Sequence, residues 1–296
     1  MVPLVATLVA DPKKSPLSDA LIARAAQALG APSSPRWLAP GEAADLFFAG
    51  EPVACMAALR AALAGEPIDL FVQPAARREK RLLVADMDST LIAQECIDEL
   101  AAEAGVGARV AEITERAMRG EIAFEPALRE RVAMLKGVPE SLVGQVAATR
   151  ITLSPGARAL ARTMRARGAH CVIVSGGFTQ FTAAVAARLG MPEHRANALI
   201  VADGTLTGAV EEPIIGRSAK KAALREIAAR LGLPIQATLA VGDGANDLEM
   251  LAAAGLGVAY RAKPAVAAAA HARIDHGDLT ALLFAQGVAR RDFAPA

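Results

Sequence analysis

An unbroken apolar run, VPLVATLVA at residues 2–10, opens the chain and reads as a strand. Apolar positions then recur at helical spacing from Ser18 to Leu29, with Ser18 placed to cap the helix and Gly30 to stop it. Two shorter extended runs follow at 36–38 and 43–48, then a second helix over 53–64 and a strand, IDLFVQ, at 68–73. The order β-α-β-β-α-β predicts a small α+β sandwich over residues 1–76. The polar stretch AARREKR at 75–81 reads as the linker that follows it.

From Arg81 the pattern changes to strands alternating with helices, which predicts an α/β doubly wound parallel sheet over residues 77–296. Its strands are RLLVADMD (81–88), HCVIVSGG (170–177), ATLAVGDG (237–244) and a short GLGVAY (255–260). Helices are expected over 155–167, 179–189 and 218–231. Residues 95–150 carry helical periodicity and no strand signal, a stretch too long for an ordinary crossover. It is expected to be a helical cap inserted into a core made of 81–94 and 151–296. The segment LIVADGTLTGAV (199–210) places two extended runs around Asp203-Gly204, a strong hairpin signal.

Composition narrows the function classes. Of 296 residues, 53% are hydrophobic, enough for a sizeable core, while 32 basic against 31 acidic residues leave a net charge of +1. With no basic surplus and only 3% aromatics, neither nucleic acid nor an anionic membrane is the expected partner. No apolar stretch is long enough to span a bilayer. The three cysteines, Cys55, Cys96 and Cys171, are far apart and form no metal-binding or disulfide pattern. A cytoplasmic enzyme is the expectation.

Three of the predicted parallel strands end in polar clusters: Asp86-Met87-Asp88-Ser89-Thr90, Ser175-Gly176-Gly177 and Asp243-Gly244-Ala245-Asn246-Asp247. Any one of these could be a turn. Together, at the carboxyl ends of strands in one sheet, they would converge where open α/β sheets bind ligands. Carboxylates with no His or Cys among them select a hard cation such as Mg²⁺. A serine and glycine amides ahead of a helix suit phosphate oxygens.

DMDST (86–90), SGG (175–177), Lys220 and GDGANDLEM (242–250) resemble, in order, the four motifs of the haloacid dehalogenase phosphatase superfamily. Within it, MDSTLIAQECIDELA (87–101), SGGFT (175–179) and GDGANDLEMLAAAGLGVAYRAKP (242–264) are similar to the phosphoserine phosphatase family. The likeness covers about residues 80–285. It implies hydrolysis of O-phospho-L-serine to L-serine and phosphate, the last step of serine biosynthesis. In that scheme Asp86 is the nucleophile, Asp88 the general acid and base, and Lys220 the cation beside the attacking carboxylate. Asp86, the Asp88 backbone carbonyl and Asp243 are the implied Mg²⁺ ligands. Ser175, Gly176, Gly177, Lys220 and Asn246 are implied to bind the phosphate.

The same resemblance assigns the substrate's amino-acid groups to Glu95 and Arg131, with Met118 and Phe124 lining the pocket. The sequence supports Arg131 independently. Phe124, Leu128, Arg131 and Leu135 fall on one helical face, and an arginine within an apolar stripe needs an anionic partner. Lys221 beside Lys220, Arg129 beside Arg131, and Asp98 and Glu99 beside Glu95 are competing candidates. The four histidines do not cluster and are assigned no role. The front 76 residues look like the ACT-type modules found before some members of the family, with a regulatory or dimerisation role and a homodimer as the implied partner. Three alternatives stay open on the sequence: transfer of the phosphoryl group to an alcohol, a different small phosphomonoester, and a non-catalytic amino-acid sensor.

Overall fold

The computed structural model describes residues 3–30, 34–118 and 121–295. The front unit runs β1 (Leu4–Ala10), α1 (Asp19–Ala28), β2 (Arg36–Ala39), β3 (Ala43–Phe48), α2 (Pro52–Ala62) and β4 (Ile68–Pro74). These strands form a sheet of order β2-β3-β1-β4, antiparallel throughout. The Ser18 hydroxyl accepts the Leu21 amide at 3.3 Å, and Gly30 leaves the helix at φ 61°, so both ends of α1 form as expected.

β1 is buried along its whole length, which explains why its sequence shows no alternation. Leu4, Ala6, Leu8 and Ala10 face α1 and α2. The opposite face, with Val9, Ala43 and Phe71, packs into the core of the following unit.

The segment at 75–81 that joins the two units is partly buried. Arg78 and Lys80 are buried, and Arg78 grips Asp45 on β3 through two hydrogen bonds of 2.9 and 2.7 Å. Thr7 donates a third bond to Asp45. The joint is extended by Gln73, which donates to the Ala285 carbonyl at 2.6 Å. Asp69 accepts the amides of Asp275, His276 and Gly277. Such a cluster of buried polar groups is tolerated because its members satisfy one another.

The second unit begins with β5 (Leu82–Ala85). Four helices then follow without a strand, as expected for the cap: α3 (Cys96–Glu103), α4 (Gly107–Met118), α5 (Phe124–Ala133) and α6 (Glu140–Thr149). The chain returns through α7 (Ala157–Ala166), β6 (His170–Phe178), α8 (Thr179–Leu189) and β7 (Glu193–Asn197). A hairpin of β8 (Leu199–Ala202) and β9 (Thr205–Val210) leads to α9 (Arg217–Arg230). The last elements are β10 (Thr238–Gly242), α10 (Leu248–Ala253), β11 (Leu256–Tyr260), α11 (Pro264–Ala269), β12 (Ala272–Ile274) and α12 (Ala281–Ala285).

Six of these strands form a parallel sheet of order β12-β11-β10-β5-β6-β7. The chain winds outward from β5 through β6 to β7, returns to β10 on the other side of β5, and winds outward again. Alternate residues feed two cores. Leu83, Ala85, Cys171 and Ile173 face one layer, and Leu82, Val84, Val172 and Val174 face α9 and α10. β5, at the reversal of strand order, is therefore where a ligand crevice opens.

β7 and β12 were not foreseen. EHRAN on β7 is a polar edge segment, and β12 has only three residues, too few to show a period. The hairpin turns at Asp203 and Gly204, both with positive φ, as a tight hairpin of opposite-handed turn requires. It braces the cap: Gly137 donates to the Leu206 carbonyl, Leu206 to that of Val138, and Glu140 to that of Gly204. Among the described residues, no helix is long and apolar enough to cross a membrane.

Candidate active site

Asp86 is the first residue past β5 and is buried at the centre of the sheet's carboxyl edge. The chain then turns tightly through 87–91, with Ser89 at φ 53°, and comes back so that the Ser89 hydroxyl meets Glu95 at 2.6 Å. β10 delivers Asp243 beside Asp86, and the turn after it delivers Asp247. Oxygens of Asp86, Asp243 and Asp247 lie within 4.8 Å of one another.

Lys220, on the first turn of α9, is buried, and its ammonium sits 2.7 Å from both Asp86 Oδ1 and Asp247 Oδ1. The contact with Asp86 is an ion pair; that oxygen has no hydrogen-bond partner among the described residues. Lys221 instead reaches the half-exposed Glu249, so the structure separates the two neighbouring lysines.

The Asp88 carboxylate is held by its own donors. Its Oδ1 accepts the Cys96 amide at 2.9 Å, and its Oδ2 accepts the Ser175 hydroxyl at 3.3 Å. Ser175 in turn accepts the Gly177 amide at 2.9 Å. A Cβ at Gly177 would stand 2.5 Å from Asp88 Oδ2, so the backbone must be bare there for the loop to approach. At Gly176 a Cβ would meet the Phe124 ring at 2.9 Å and the Asn246 amide at 3.6 Å. Phe124, at the start of α5, therefore seats the cap directly over the β6 loop.

Crowded carboxylates dominate the electrostatics. Burial, then Asp247, pushes Asp86 well above the usual range, with Lys220 pulling the other way. Burial and Asp247 likewise bring Asp243 to about 6. Asp88 is raised by burial, opposed by its bonds from Cys96. Burial works against the Lys220 charge, but Asp247 and Asp86 outweigh it and the ammonium is held more firmly than usual. Such a group of anions around one cation, at the mouth of a sheet, calls for a further positive charge. Oxygen donors alone fit Mg²⁺ in particular. Asp86 and Asp243, the two carboxylates expected at the ion, lie together, and Asp247, which the sequence placed in the motif without a role, joins them. Thr90 donates to Asp243 Oδ1 at 3.0 Å, a further partner with no signal in the sequence beyond its place in the motif.

Arg131 on α5 is half-buried. Burial lowers its hold on the proton, and the nearby carboxylates of Asp98, Glu95 and Asp88 restore part of it. Glu95 reaches solvent, yet the protein packed around its carboxyl, with Asp88, pushes it up to about 7. The two residues expected to face an amino acid thus come together at one place. Arg129 lies outside it, paired at the surface with Glu212. The side chain of Met118 lies outside the described residues.

Residues 83–252 match the family of haloacid dehalogenase-like hydrolases. A phosphoserine phosphatase of Streptococcus thermophilus is 49% identical over 200 residues, covering 68% of this chain and 93% of its own. The chain belongs to the phosphoserine phosphatase family of haloacid dehalogenase-like hydrolases. A phosphoserine phosphatase of Streptomyces coelicolor is 46% identical over 246 residues, covering 83% of this chain and 60% of its own. The chain thus spans about three-fifths of the longer curated relatives it matches. The likeness in structure extends to the front unit. A haloacid dehalogenase family hydrolase from Salmonella enterica serovar Typhi superposes with a TM-score of 0.86 at 31% identity, covering 96% of this chain and 98% of that one.

Proposed function

We propose that this chain hydrolyses O-phospho-L-serine to L-serine and phosphate in a Mg²⁺-dependent, two-step transfer. The observation that carries the chemistry is the buried Asp86 carboxylate held 2.7 Å from the Lys220 ammonium at the mouth of the sheet. The cap supports the substrate, since Glu95 and Arg131 meet there as the acid and base that an ammonium and a carboxylate require.

In the first step an Asp86 oxygen attacks phosphorus in line, the bond to the serine oxygen breaks, and Asp88 gives that oxygen a proton. In the second, Asp88 takes a proton from water, whose oxygen displaces Asp86 and releases phosphate. Lys220 offsets the charge of the nucleophile and the phosphoryl oxygens, a role worth roughly 3–4 kcal/mol in comparable sites. Ser175, Gly176, Gly177 and Asn246 hold the phosphate, and Phe124 closes the pocket above it. Asp86, the Asp88 carbonyl and Asp243 would hold Mg²⁺, with Asp247 beside them. When bound, the ion supplies a positive charge that draws the phosphate onto the carboxylate edge.

The reading takes residues 1–76 as a separate front module of regulatory or dimerisation type, the cap as 95–150, and the cytoplasm as the site of action. Near-neutral charge supports a small-molecule substrate with no nucleic-acid or membrane partner. Phosphate release from O-phospho-L-serine, O-phospho-L-threonine, a sugar phosphate and an aryl phosphate, with Mg²⁺ and with chelator, tests the proposal. Mg²⁺-dependent preference for phosphoserine is expected. Preference for another ester would retain the Asp86 chemistry and discard the substrate.

A further inference from the structure

Asn197 ends β7, the edge strand, and its side chain is buried between two loops of the candidate site. Its Nδ2 donates to the Gly176 carbonyl at 2.8 Å, and its Oδ1 accepts the Ile215 amide at 2.7 Å. A backbone donor on one side and a backbone acceptor on the other allow only one orientation of the amide. One side chain therefore ties the glycine-bearing end of β6 to the segment that enters α9.

Both tied segments lead to reacting groups. Ile215 precedes Gly216, whose carbonyl accepts the Lys220 amide at 3.1 Å, so the tie reaches the turn that aims the Lys220 ammonium. The Gly176 carbonyl belongs to the peptide plane whose other edge is the Gly177 N–H, which donates to the Ser175 hydroxyl oxygen. With that oxygen occupied as an acceptor, the Ser175 hydrogen is left to donate to Asp88. Fixing one peptide plane thus fixes the direction of the Ser175 hydroxyl.

We propose that Asn197 is a positioning residue for phosphoryl transfer, setting the phosphate loop 175–177 against the lysine-bearing start of α9. The inference rests on the reading of those two segments as the phosphate site. Neither Ala nor Asp can replace Asn197. Alanine frees both backbone groups, while aspartate keeps the Ile215 bond but turns a carboxylate oxygen toward the Gly176 carbonyl.

The test compares Asn197→Asp and Asn197→Ala with Gln73→Ala, which removes a similarly buried amide of the front unit bonded to the Ala285 backbone carbonyl. For both Asn197 variants kcat is expected to fall roughly 10- to 100-fold, because displaced reacting groups cost rate steeply. The loss should be equal on phosphoserine and an aryl phosphate, because Arg131 and Glu95 are untouched. Orthophosphate affinity, read by calorimetry with Mg²⁺, should fall as well. Gln73→Ala should lower the melting temperature and leave kcat and phosphate affinity alone. If the Asn197 variants melt lower but keep wild-type kcat and phosphate affinity, their role is structural only and the inference is overturned. If wild type prefers another phosphomonoester, the substrate reading fails and the same comparison is made on that ester.

Discussion

Lys220 and Asp247 are both fully withdrawn from solvent, and their charged ends lie 2.7 Å apart. A second carboxylate, Asp86, stands at the same distance from the ammonium. The lysine thus holds together a cluster of anions that would otherwise repel one another, and the proposed nucleophile is one of them.

Removing that cation tests both consequences. Lys220→Met is expected to lower kcat roughly 10²–10³-fold. It should also cost roughly 3–5 kcal/mol of stability at pH 7, where buried carboxylates are left unpaired. The stability loss should shrink as the pH falls, because Asp86 and Asp243, both raised, take up protons and cease to repel. Denaturant unfolding at pH 7 and pH 5 measures the difference. An equal loss at both values would mean that carboxylate charge does not set the cost.

Mg²⁺ affinity should depend on pH in the opposite sense. With Asp243 at about 6, protons compete with the ion below that value, and affinity falls as the pH drops through 6. Asp247→Asn keeps the shape of the cluster and removes one charge; it should weaken Mg²⁺ roughly 10- to 100-fold. Calorimetric titrations of both proteins at pH 7.5 and 5.5 decide the matter.

The cap separates two arginines that lie two residues apart. Arg131→Ala is expected to raise KM for phosphoserine roughly 10- to 100-fold, the worth of a charge-assisted bond, and to affect an aryl phosphate far less. Arg129→Ala removes only a surface pair with Glu212 and should change either KM by less than about threefold. Equal losses on both substrates for Arg131→Ala would take that residue out of substrate recognition.

Acid stability should respond to Glu193 at the sheet's edge. Burial raises this carboxyl, but hydrogen bonds from His170, Arg230 and Arg195 outweigh it and bring it to about 2, against an ordinary 4.5. A depressed folded-state value stabilises fully above the unfolded value and is lost as the pH falls from there toward 2. Wild type should therefore lose roughly 1 kcal/mol more than Glu193→Gln between pH 6 and pH 3, a figure reduced for screening at a partly open site. Urea midpoints at the two pH values provide the comparison.

The joint between the two units makes a separate prediction. Asp45 has no exposed surface and receives both ends of the Arg78 guanidinium. Asp45→Asn should destabilise the whole chain by roughly 3–5 kcal/mol in equilibrium unfolding, since it leaves Arg78 buried and unpaired. A loss below about 1 kcal/mol would show that Arg78 finds water instead.

Much of this molecule is written locally. Strands buried on both faces, such as Leu82–Ala85 and residues 239–242, carry no polar side chain, and a tight turn such as Asp203-Gly204 needs residues that accept positive φ. The dense motifs at 86–90, 175–177 and 242–250 were legible for the same reason: each is a short strand end whose conformation and chemistry are set by its own residues. The helical spacing that put Arg131 within an apolar stripe, and so favoured it over Arg129, was equally local.

Other features depend on which distant segments meet. β7 has no apolar period because it lies at a sheet edge, where half its surface faces water, and only its pairing with β6 makes it a strand. Arg78 lies in a polar linker stretch, and nothing near it in the chain announces Asp45. Asp247 and Asn197 are ordinary polar residues by spacing, and their partners come from other elements: Lys220 for the first, Gly176 and Ile215 for the second. The sequence by itself thus determined the elements, the order of the motifs and the chemistry of each strand end, since periodicity and turn conformation act over a few residues. The tertiary structure alone decided which buried charges and amides pair. Their free energy depends on exclusion of water and on distance, and neither exists until the segments pack.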